Sequence, residues 1–189
     1  MNHVHQNDMD LKLILDKIQQ GDKRSYTLII DLFQRKIYLY CYYLLRNQEE
    51  AEDATQDIFI KGLEHINQFT YTDSLSAWLY KIAKNHCTDR IKKKNNEEKL
   101  LIKYQVEKRH EQEHNYTDFI HDCLDILSLE ERQILLLRSL EDYSYDEMAC
   151  IMELKPTTLR KKYERIRKKL IHEKEGGGKK YEESYRFGR

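Results

Sequence analysis

Glycine and proline are scarce in this sequence, and their positions restrict the fold more than any other feature. The chain has 189 residues but a single proline, Pro156, and only Gly21 and Gly62 among its first 175 positions. The other four glycines, at 176, 177, 178 and 188, all fall at the C-terminal end. A many-stranded sheet needs turn residues about every 8–12 positions, and this chain lacks them. We therefore predict an all-α fold and exclude sandwiches, barrels and nucleotide-binding α/β folds.

Apolar residues recur at helical spacing along most of the chain. The spacing predicts helices over 11–18, 22–33, 53–66 and 78–91. The stretch 37–43 is ambiguous, because its aromatic residues alternate as they would in a strand. We assign it to a helix, since positions 37, 41 and 44 also fit i, i+4, i+7 and no partner strand is in sight.

Loss of this periodicity divides the chain into two small helical domains. Residues 1–94 form the first, and residues 116–174 form the second. Between them, 95–115 has no amphipathic order and is interpreted as a flexible linker that can be part helical. Residues 175–189 have little to bury and are expected to be a disordered tail.

Charge is balanced in total, with 33 basic and 33 acidic residues, but not along the chain. The net charge is −5 over 49–57, +5 over 81–94, −7 over 118–147 and +7 over 155–174. Two separate basic segments indicate two contacts with a polyanion, and nucleic acid is the leading candidate. A solvated helix face would explain any one of these blocks taken alone.

Several other classes of protein are disfavoured. The first residues lack a basic region followed by an apolar core, so we expect no secretory signal. No apolar run approaches the roughly 18 residues of a membrane span. The four cysteines are widely spaced without a CxxC pair, which favours free thiols in a reducing cytoplasm over a disulfide framework.

Two sets of motifs then identify a family. Residues 51–61 read AEDATQDIFIK, residues 77–85 read AWLYKIAKN, and Asp89 and Arg90 follow. They resemble domain two of bacterial RNA polymerase sigma factors of the extracytoplasmic-function (ECF) type, which reads approximately DAEDxxQExFxK and then AWLxxIAxNxxxD. In the second unit, LSLEER at 127–132, YSYDEMA at 143–149 and RIRKKL at 165–170 resemble domain four, a helix-turn-helix. The resemblance implies an alternative sigma factor, which binds core RNA polymerase and directs it to promoters by recognising −35 and −10 elements and helping to melt the DNA.

One helix face is a candidate for protein docking. Asp53, Gln56, Asp57 and Ile60 recur at i, i+3, i+4, i+7 and therefore share a face. Carboxylates mixed with an amide and an aliphatic side chain suit a basic protein partner better than DNA. The resemblance implies that this face docks on the clamp helices of core RNA polymerase. The favourable placement of acids at a helix start also explains Asp53 and Asp57.

Aromatic residues in the polar loop before Trp78 are candidates for stacking on a base. The resemblance implies that this loop, at about 69–74, traps a base flipped from the −10 element, and Phe69 and Tyr71 are the candidates. Stacking is worth roughly 1–3 kcal/mol per base. Trp78 itself pairs with Ile82 at i, i+4, which favours core packing over stacking.

The helix after this loop supplies further −10 candidates. Asn85 carries both a donor and an acceptor and could read a base edge. Lys81, Lys84 and Arg90 are expected to hold phosphates, which position the protein without reading sequence.

The second unit carries the −35 candidates on a recognition helix over 156–171, with Pro156 at its first position and a supporting helix over 145–152. Leu159, Tyr163, Ile166 and Leu170 form its buried stripe. The outward residues that the resemblance assigns to the −35 element are Arg160, Lys161, Glu164, Arg165 and Lys168. Arginine can bond guanine bidentately and glutamate can accept from cytosine, whereas Lys168 could equally be a solvated basic residue.

The turn before this helix departs from the family pattern. Glu153 stands where a glycine is usual, so a non-glycine residue is expected in the left-handed conformation, at a cost of order 1 kcal/mol. Lys155 and Thr157 replace the common serine and glycine, and Ser128 replaces a usual proline.

Two other classes of function remain as alternatives. For an enzyme there is no P-loop, Rossmann fingerprint or HExxH motif, so we expect no catalytic residues, no cofactor and no small-molecule substrate. His110, His114, His121 and Cys123 could assemble a metal site, but linker histidines are more often unliganded and no metal is expected. A stand-alone helix-turn-helix regulator would explain 118–172 but not the acidic face or the loop. The resemblance also implies an anti-sigma factor as a partner and gives no reason to expect insertion into a membrane.

Overall fold

The structure is a computed structural model that describes residues 2–70, 74–102 and 123–186. Its longer helices are α1 (Asn2–Gln19), α2 (Tyr26–Leu45), α3 (Gln48–His65), α4 (Leu75–Ile102), α5 (Leu129–Leu140), α6 (Tyr145–Met152) and α7 (Pro156–Arg186). Short 3-10 turns occupy Lys23–Ser25 and Ile66–Gln68. The described residues contain no strand, which confirms the all-α prediction, and the ambiguous stretch 37–43 lies inside α2.

The first of two compact units is built from α1 to α4. Helices α2, α3 and α4 pack on one another, and α1 packs against α2. Their facing side chains are almost fully buried: Ile29, Ile37, Tyr40 and Cys41 of α2, Ala54 and Ile58 of α3, and Leu79, Tyr80, Ala83 and Cys87 of α4. The buried positions follow the 3.6-residue period, which is why the sequence alone could locate these helices.

Turn chemistry sets the connection from α1 to α2. Gly21 has a φ of 104°, a conformation that residues with a Cβ rarely adopt. Asp22 then caps the first 3-10 turn, since its side chain accepts hydrogen bonds from the Arg24 amide at 3.2 Å and the Ser25 hydroxyl at 2.7 Å. Asp22 is therefore the N-cap of the short 3-10 turn that precedes α2.

Gly62 allows α2 and α3 to approach closely. The Tyr26 hydroxyl of α2 donates a hydrogen bond to the Phe59 carbonyl of α3 at 3.0 Å. A Cβ at Gly62 would collide with that hydroxyl and crowd Leu79 of α4. The absence of a side chain at this position thus lets three helices meet in the core.

The second unit contains α5, α7 and residues 145–149 of α6. Ser128 and Ser144 each form a capping box, with Glu131 at the start of α5 and with Glu147 at the start of α6. Ser128 therefore starts α5 as its N-cap, at the position where a proline is usual. Glu153 ends α6 with a φ of 58°, which confirms the predicted left-handed non-glycine residue.

Two helices extend beyond the regions where the sequence predicts regular structure. Helix α4 continues through 95–102, the first part of the expected linker, because lysine and glutamate are strong helix formers and Lys93 pairs with Glu97 at i, i+4. The remainder of the linker, 103–115, lies outside the described residues. Helix α7 continues to Arg186, which differs from the expectation of a disordered tail from 175. Extending a formed helix is much easier than starting one, and each glycine opposes it by only about 1 kcal/mol.

Candidate nucleic-acid and protein interfaces

Four residues of α3 form an exposed face, which we call the α3 acidic face: Asp53, Gln56, Asp57 and Ile60. Ile60 stands out, because 56% of this aliphatic residue is exposed. Opposite them, Ala54 and Ile58 are fully buried and fix the rotation of the helix. The result is an apolar side chain among exposed carboxylates, which suits a protein partner with basic and apolar groups.

The basic part of α4 lies beside the start of α3. A guanidinium nitrogen of Arg90 lies 3.9 Å from a carboxylate oxygen of Asp53, and another donates to the Glu50 carbonyl at 3.4 Å. Lys94 pairs with the Glu50 carboxylate at 2.8 Å. Arg90 therefore has contacts within the protein at the start of α3, and the expectation that it holds a DNA phosphate stays a prediction. Arg90 follows Ala83 by seven residues and His86 by four, which places it on the side of α4 that faces α3.

Sequence reasoning did not single out His86, although it lies directly behind the α3 acidic face. Only 9% of this residue is exposed. Its Nδ1 lies 2.9 Å from the Lys61 ammonium and its Nε2 lies 3.6 Å from a carboxylate oxygen of Asp57. A single histidine inside a basic segment carries no periodic signal, so only the packing of α3 on α4 reveals it.

The opposite side of α4 carries most of the −10 candidates. Asn85 is exposed and shares a helix face with Lys81 and Lys92, at i−4 and i+7 from it. Lys84 is half-buried and lies toward the flank of that face. An amide between two lysines can combine base contact with phosphate contact along one line.

The aromatic candidates of the loop are placed differently from the sequence interpretation. Phe69 is only 5% exposed and packs edge-to-face on Trp78, with ring centroids 5.6 Å apart. A ring packed in this way cannot offer its face to a base without first leaving Trp78. The Gln19 side chain of α1 donates to the carbonyls of Ile66 and Phe69 at 3.4 and 3.5 Å and so supports the turn. Tyr71 lies outside the described residues.

The first turns of α7 present the five −35 candidates to solvent. Arg160, Lys161, Glu164, Arg165 and Lys168 are all exposed. Leu159 and Ile166 are fully buried on the other side, while Tyr163 and Leu170 are half-buried. The helix begins at Pro156, as predicted, with the amides of Thr158 and Leu159 bonded to the Lys155 carbonyl.

A cleft of about 370 Å³ lies at the N-terminal ends of α6 and α7. Tyr145 lies at its centre, and the guanidinium carbons of Arg138 and Arg160 each lie 5.5 Å from its ring centroid. Arg138 also donates to the Tyr143 carbonyl at 2.6 Å. Sequence reasoning missed Arg138 and Tyr145, because Arg138 lies in an acidic block and Tyr145 reads as the start of a supporting helix. Tyr145 thus holds the Arg160 guanidinium beside the cleft through a cation–π contact.

Metal and membrane sites are not indicated in the described parts of the chain. No group of three histidine, cysteine or acidic side chains there is arranged to hold a metal ion. His110, His114 and His121 lie outside the described residues. Among the described helices, none is long and apolar enough to cross a membrane. All four cysteines are free thiols.

Comparison with protein families finds two matches in the order that the motifs predict. The family profile of sigma-70 region 2 matches residues 29–97, and that of sigma-70 region 4 matches residues 120–170. The first match contains the α3 acidic face and α4, and the second contains the helix-turn-helix.

Individual relatives agree with this assignment. The ECF RNA polymerase sigma factor SigW of Bacillus subtilis is 39% identical over 87 residues, which span 46% of this chain and 46% of that protein. The RNA polymerase sigma-H factor of Pseudomonas aeruginosa is 25% identical over 183 residues, 83% of this chain and 90% of that protein.

Solved structures have the same fold. The sigma factor RpoE, in its complex with the anti-sigma factor NepR from Bartonella quintana, aligns with a TM-score of 0.66 at 22% identity, over 79% of this chain and 96% of that one. CnrH, in complex with the cytosolic domain of CnrY, aligns with a TM-score of 0.67 at 17% identity, over 85% and 94%.

Proposed function

Because this chain belongs to the ECF type of bacterial RNA polymerase sigma factors, we propose that it binds core RNA polymerase and directs it to specific promoters. The observation that carries this proposal is the presence, on one chain, of an exposed acidic face with an apolar residue and of an exposed basic helix-turn-helix. The first suits a protein and the second suits DNA, and an initiation factor needs both.

Core polymerase is recruited by the α3 acidic face. Asp53 and Asp57 attract a basic partner surface, and Ile60 supplies apolar area that becomes buried on docking. Gln56 adds hydrogen bonds at the same place. The carboxylates thus supply long-range attraction, and Ile60 and Gln56 supply short-range specificity.

The −35 element is bound by the first turns of α7. Arg160, Lys161, Glu164 and Arg165 point away from the buried stripe and can reach base edges in the major groove. Lys168 lies one turn further on and contributes mainly to phosphate binding. The stacking of Arg160 on Tyr145 restricts its guanidinium before DNA arrives, so less conformational entropy is lost on binding.

The −10 element is opened by the first unit. Tyr71 is the candidate to stack on the unpaired base, and Asn85 reads a base edge while Lys81 and Lys84 hold nearby phosphates. Phe69 contributes by packing on Trp78. Arg90 contacts the start of α3 and is a further candidate to hold a phosphate.

Strand opening in this scheme is driven by binding and involves no bond-breaking step, so the chain acts without catalytic residues of its own. It works in the cytoplasm, where polymerase and chromosome are found. An anti-sigma factor is the expected inhibitor, by analogy with the complexes of RpoE with NepR and of CnrH with CnrY.

The docking step is tested by reversing one charge. Asp57→Lys is expected to raise the Kd for core polymerase at least about tenfold, because one attraction becomes a repulsion at the interface. Asp31→Lys is the control, since Asp31 is an exposed acid of α2 and lies outside the α3 acidic face. Fluorescence anisotropy with labelled protein measures both. Equal effects of the two changes would contradict docking through this face.

The stand-alone regulator makes the opposite prediction about DNA. A sigma factor binds promoter duplex weakly by itself and tightly with core polymerase, whereas a regulator binds duplex tightly alone. The sigma-70 region 2 match over 29–97 favours the sigma factor, since a regulator has no use for it. A gel-shift assay with and without core enzyme separates the two.

A further inference from the structure

His86 occupies the contact between the docking helix and the DNA-binding helix. It belongs to α4 and follows Asn85 directly, yet its ring is buried against α3. Both of its nitrogens face side chains of α3, since Nδ1 lies 2.9 Å from the Lys61 ammonium and Nε2 lies 3.6 Å from Asp57. The charged groups close enough to act on the ring are Lys61 and Asp57 of α3 and Arg90 and Asp89 of α4.

The Lys61 contact decides which nitrogen of His86 carries the proton. An ammonium group can only donate, so Nδ1 must accept and the proton of a neutral imidazole lies on Nε2. Nε2 is the nitrogen that faces Asp57, and it has no hydrogen-bond partner among the described residues. The 3.6 Å separation is longer than a hydrogen bond, but the Asp57 side chain is 53% exposed and can rotate toward the ring.

The same surroundings keep the ring neutral. Burial, and then the Lys61 ammonium, lower the pKa of His86 below its ordinary value of 6.5, with a smaller opposing effect from Asp57. A neutral N–H can orient a carboxylate without cancelling its charge, whereas a lysine or arginine in this place would neutralise it. The arrangement therefore suits a group that orients the Asp57 carboxylate without neutralising it, so that its negative charge still attracts a basic partner.

We propose that His86 is a positioning residue for polymerase docking, which Lys61 holds in the tautomer that donates from Nε2 to the Asp57 carboxylate. This inference rests on the proposed docking role of Asp57. It assigns to His86 no contact with polymerase, so its whole effect on docking passes through Asp57. It also links the docking helix directly to the helix that carries Asn85.

A double-mutant cycle on the full chain tests the proposal, with the Kd for core polymerase as the readout. His86→Phe keeps a ring but removes both nitrogens, and it is expected to raise the Kd about threefold to tenfold. In an Asp57→Ala background, which has no acceptor for Nε2, the same change is expected to have no further effect. His86→Gln, which can still donate from a nitrogen near the Nε2 position, is expected to lie closer to wild type than His86→Phe. His65→Gln, at an exposed histidine of α3, is the matched control.

The possible outcomes separate the inference from the function on which it rests. If Asp57→Ala leaves the Kd unchanged, the docking assignment fails. If Asp57→Ala weakens binding but His86→Phe has the same effect in both backgrounds, His86 does not act through Asp57 and the inference is overturned. Equal losses in His86→Phe and His86→Gln would also overturn it. Should His86→Phe lower the melting temperature into the assay range, His86→Leu, which also removes both nitrogens, takes its place in the cycle and gives the same decision.

Discussion

For individual residues, the sequence predicted some local environments correctly and missed others. Glu153 was predictable, because it stands where the family's turn usually has a glycine and the turn still needs a left-handed residue there. Phe69 was not, since it looks exposed and functional in sequence but packs on Trp78 of α4. The contacts of Arg90 with Asp53 and Glu50 were not predictable either, because they join residues distant in the chain. His86 gave no signal at all. Periodicity reports which face of a helix is buried, but not which polar side chain lies opposite.

The strain at Glu153 gives a stability prediction. Glu153→Gly is expected to raise the free energy of unfolding of the second unit by about 0.5–1 kcal/mol, because glycine adopts a φ of 58° without steric cost. Glu153→Ala is the control, since it removes the charge but keeps the Cβ, and no gain is expected from it. Urea denaturation followed by circular dichroism measures both. A gain of equal size in the alanine variant would show that the charge matters and the backbone conformation does not.

At the scale of elements, the sequence predicted helices well wherever one face packs on a neighbour. The buried residues of α2, α3 and the recognition helix follow the 3.6-residue period, so their faces could be assigned in advance. The ends of α4 and α7 could not, because a formed helix can be continued by propagation beyond the residues that show an apolar period. The exposed residues of the recognition helix were also predicted correctly, because they lie on the side opposite its buried stripe.

The close contact of α2 with α3 at Gly62 can be tested in the first unit. Gly62→Ala would ordinarily favour a helix, but here the added methyl collides with the Tyr26 hydroxyl, which is bonded to the Phe59 carbonyl. We expect a loss of about 1–3 kcal/mol in unfolding free energy. Trp78, the only tryptophan, lies in this unit and reports its unfolding by fluorescence. Combining the change with Tyr26→Phe should recover part of the loss, and failure to recover any would contradict the collision.

Base reading by the recognition helix has its own test. Arg165→Ala is expected to lower initiation about 5- to 150-fold on promoters with an intact −35 element and much less on promoters with a scrambled one. Arg167→Ala removes the same exposed charge from a position two residues, or about 200°, further around the helix, and it should lower both alike or neither. In-vitro transcription on the paired templates gives the ratio. An equal loss on both templates in Arg165→Ala would reduce Arg165 to a phosphate contact.

For the whole molecule, the net charge of zero is a sum over surfaces with different partners. The acidic block 49–57 contributes to the docking face, and the basic block 155–174 contains the recognition helix. Their order along the chain, with a linker between them, could be predicted from composition and periodicity alone. Part of this charge is neutralised by ion pairs within the protein, such as Lys94 with Glu50 and Lys169 with Glu131. These pairs depend on the packing of helices that are distant in sequence. Counting charges therefore overestimates how many are available to polymerase or DNA.

The central claim is that this chain gives core RNA polymerase its choice of promoter. The most direct measurement is in-vitro transcription from a genomic fragment library, with core enzyme alone and with core enzyme plus the purified chain, followed by mapping of the 5′ ends of the transcripts. We predict discrete start sites that depend on the added chain, share −35 and −10 elements, and are lost with Asp57→Lys but retained with Asp31→Lys. Start sites unchanged by the chain, together with tight binding of the chain alone to promoter duplex, would contradict the account.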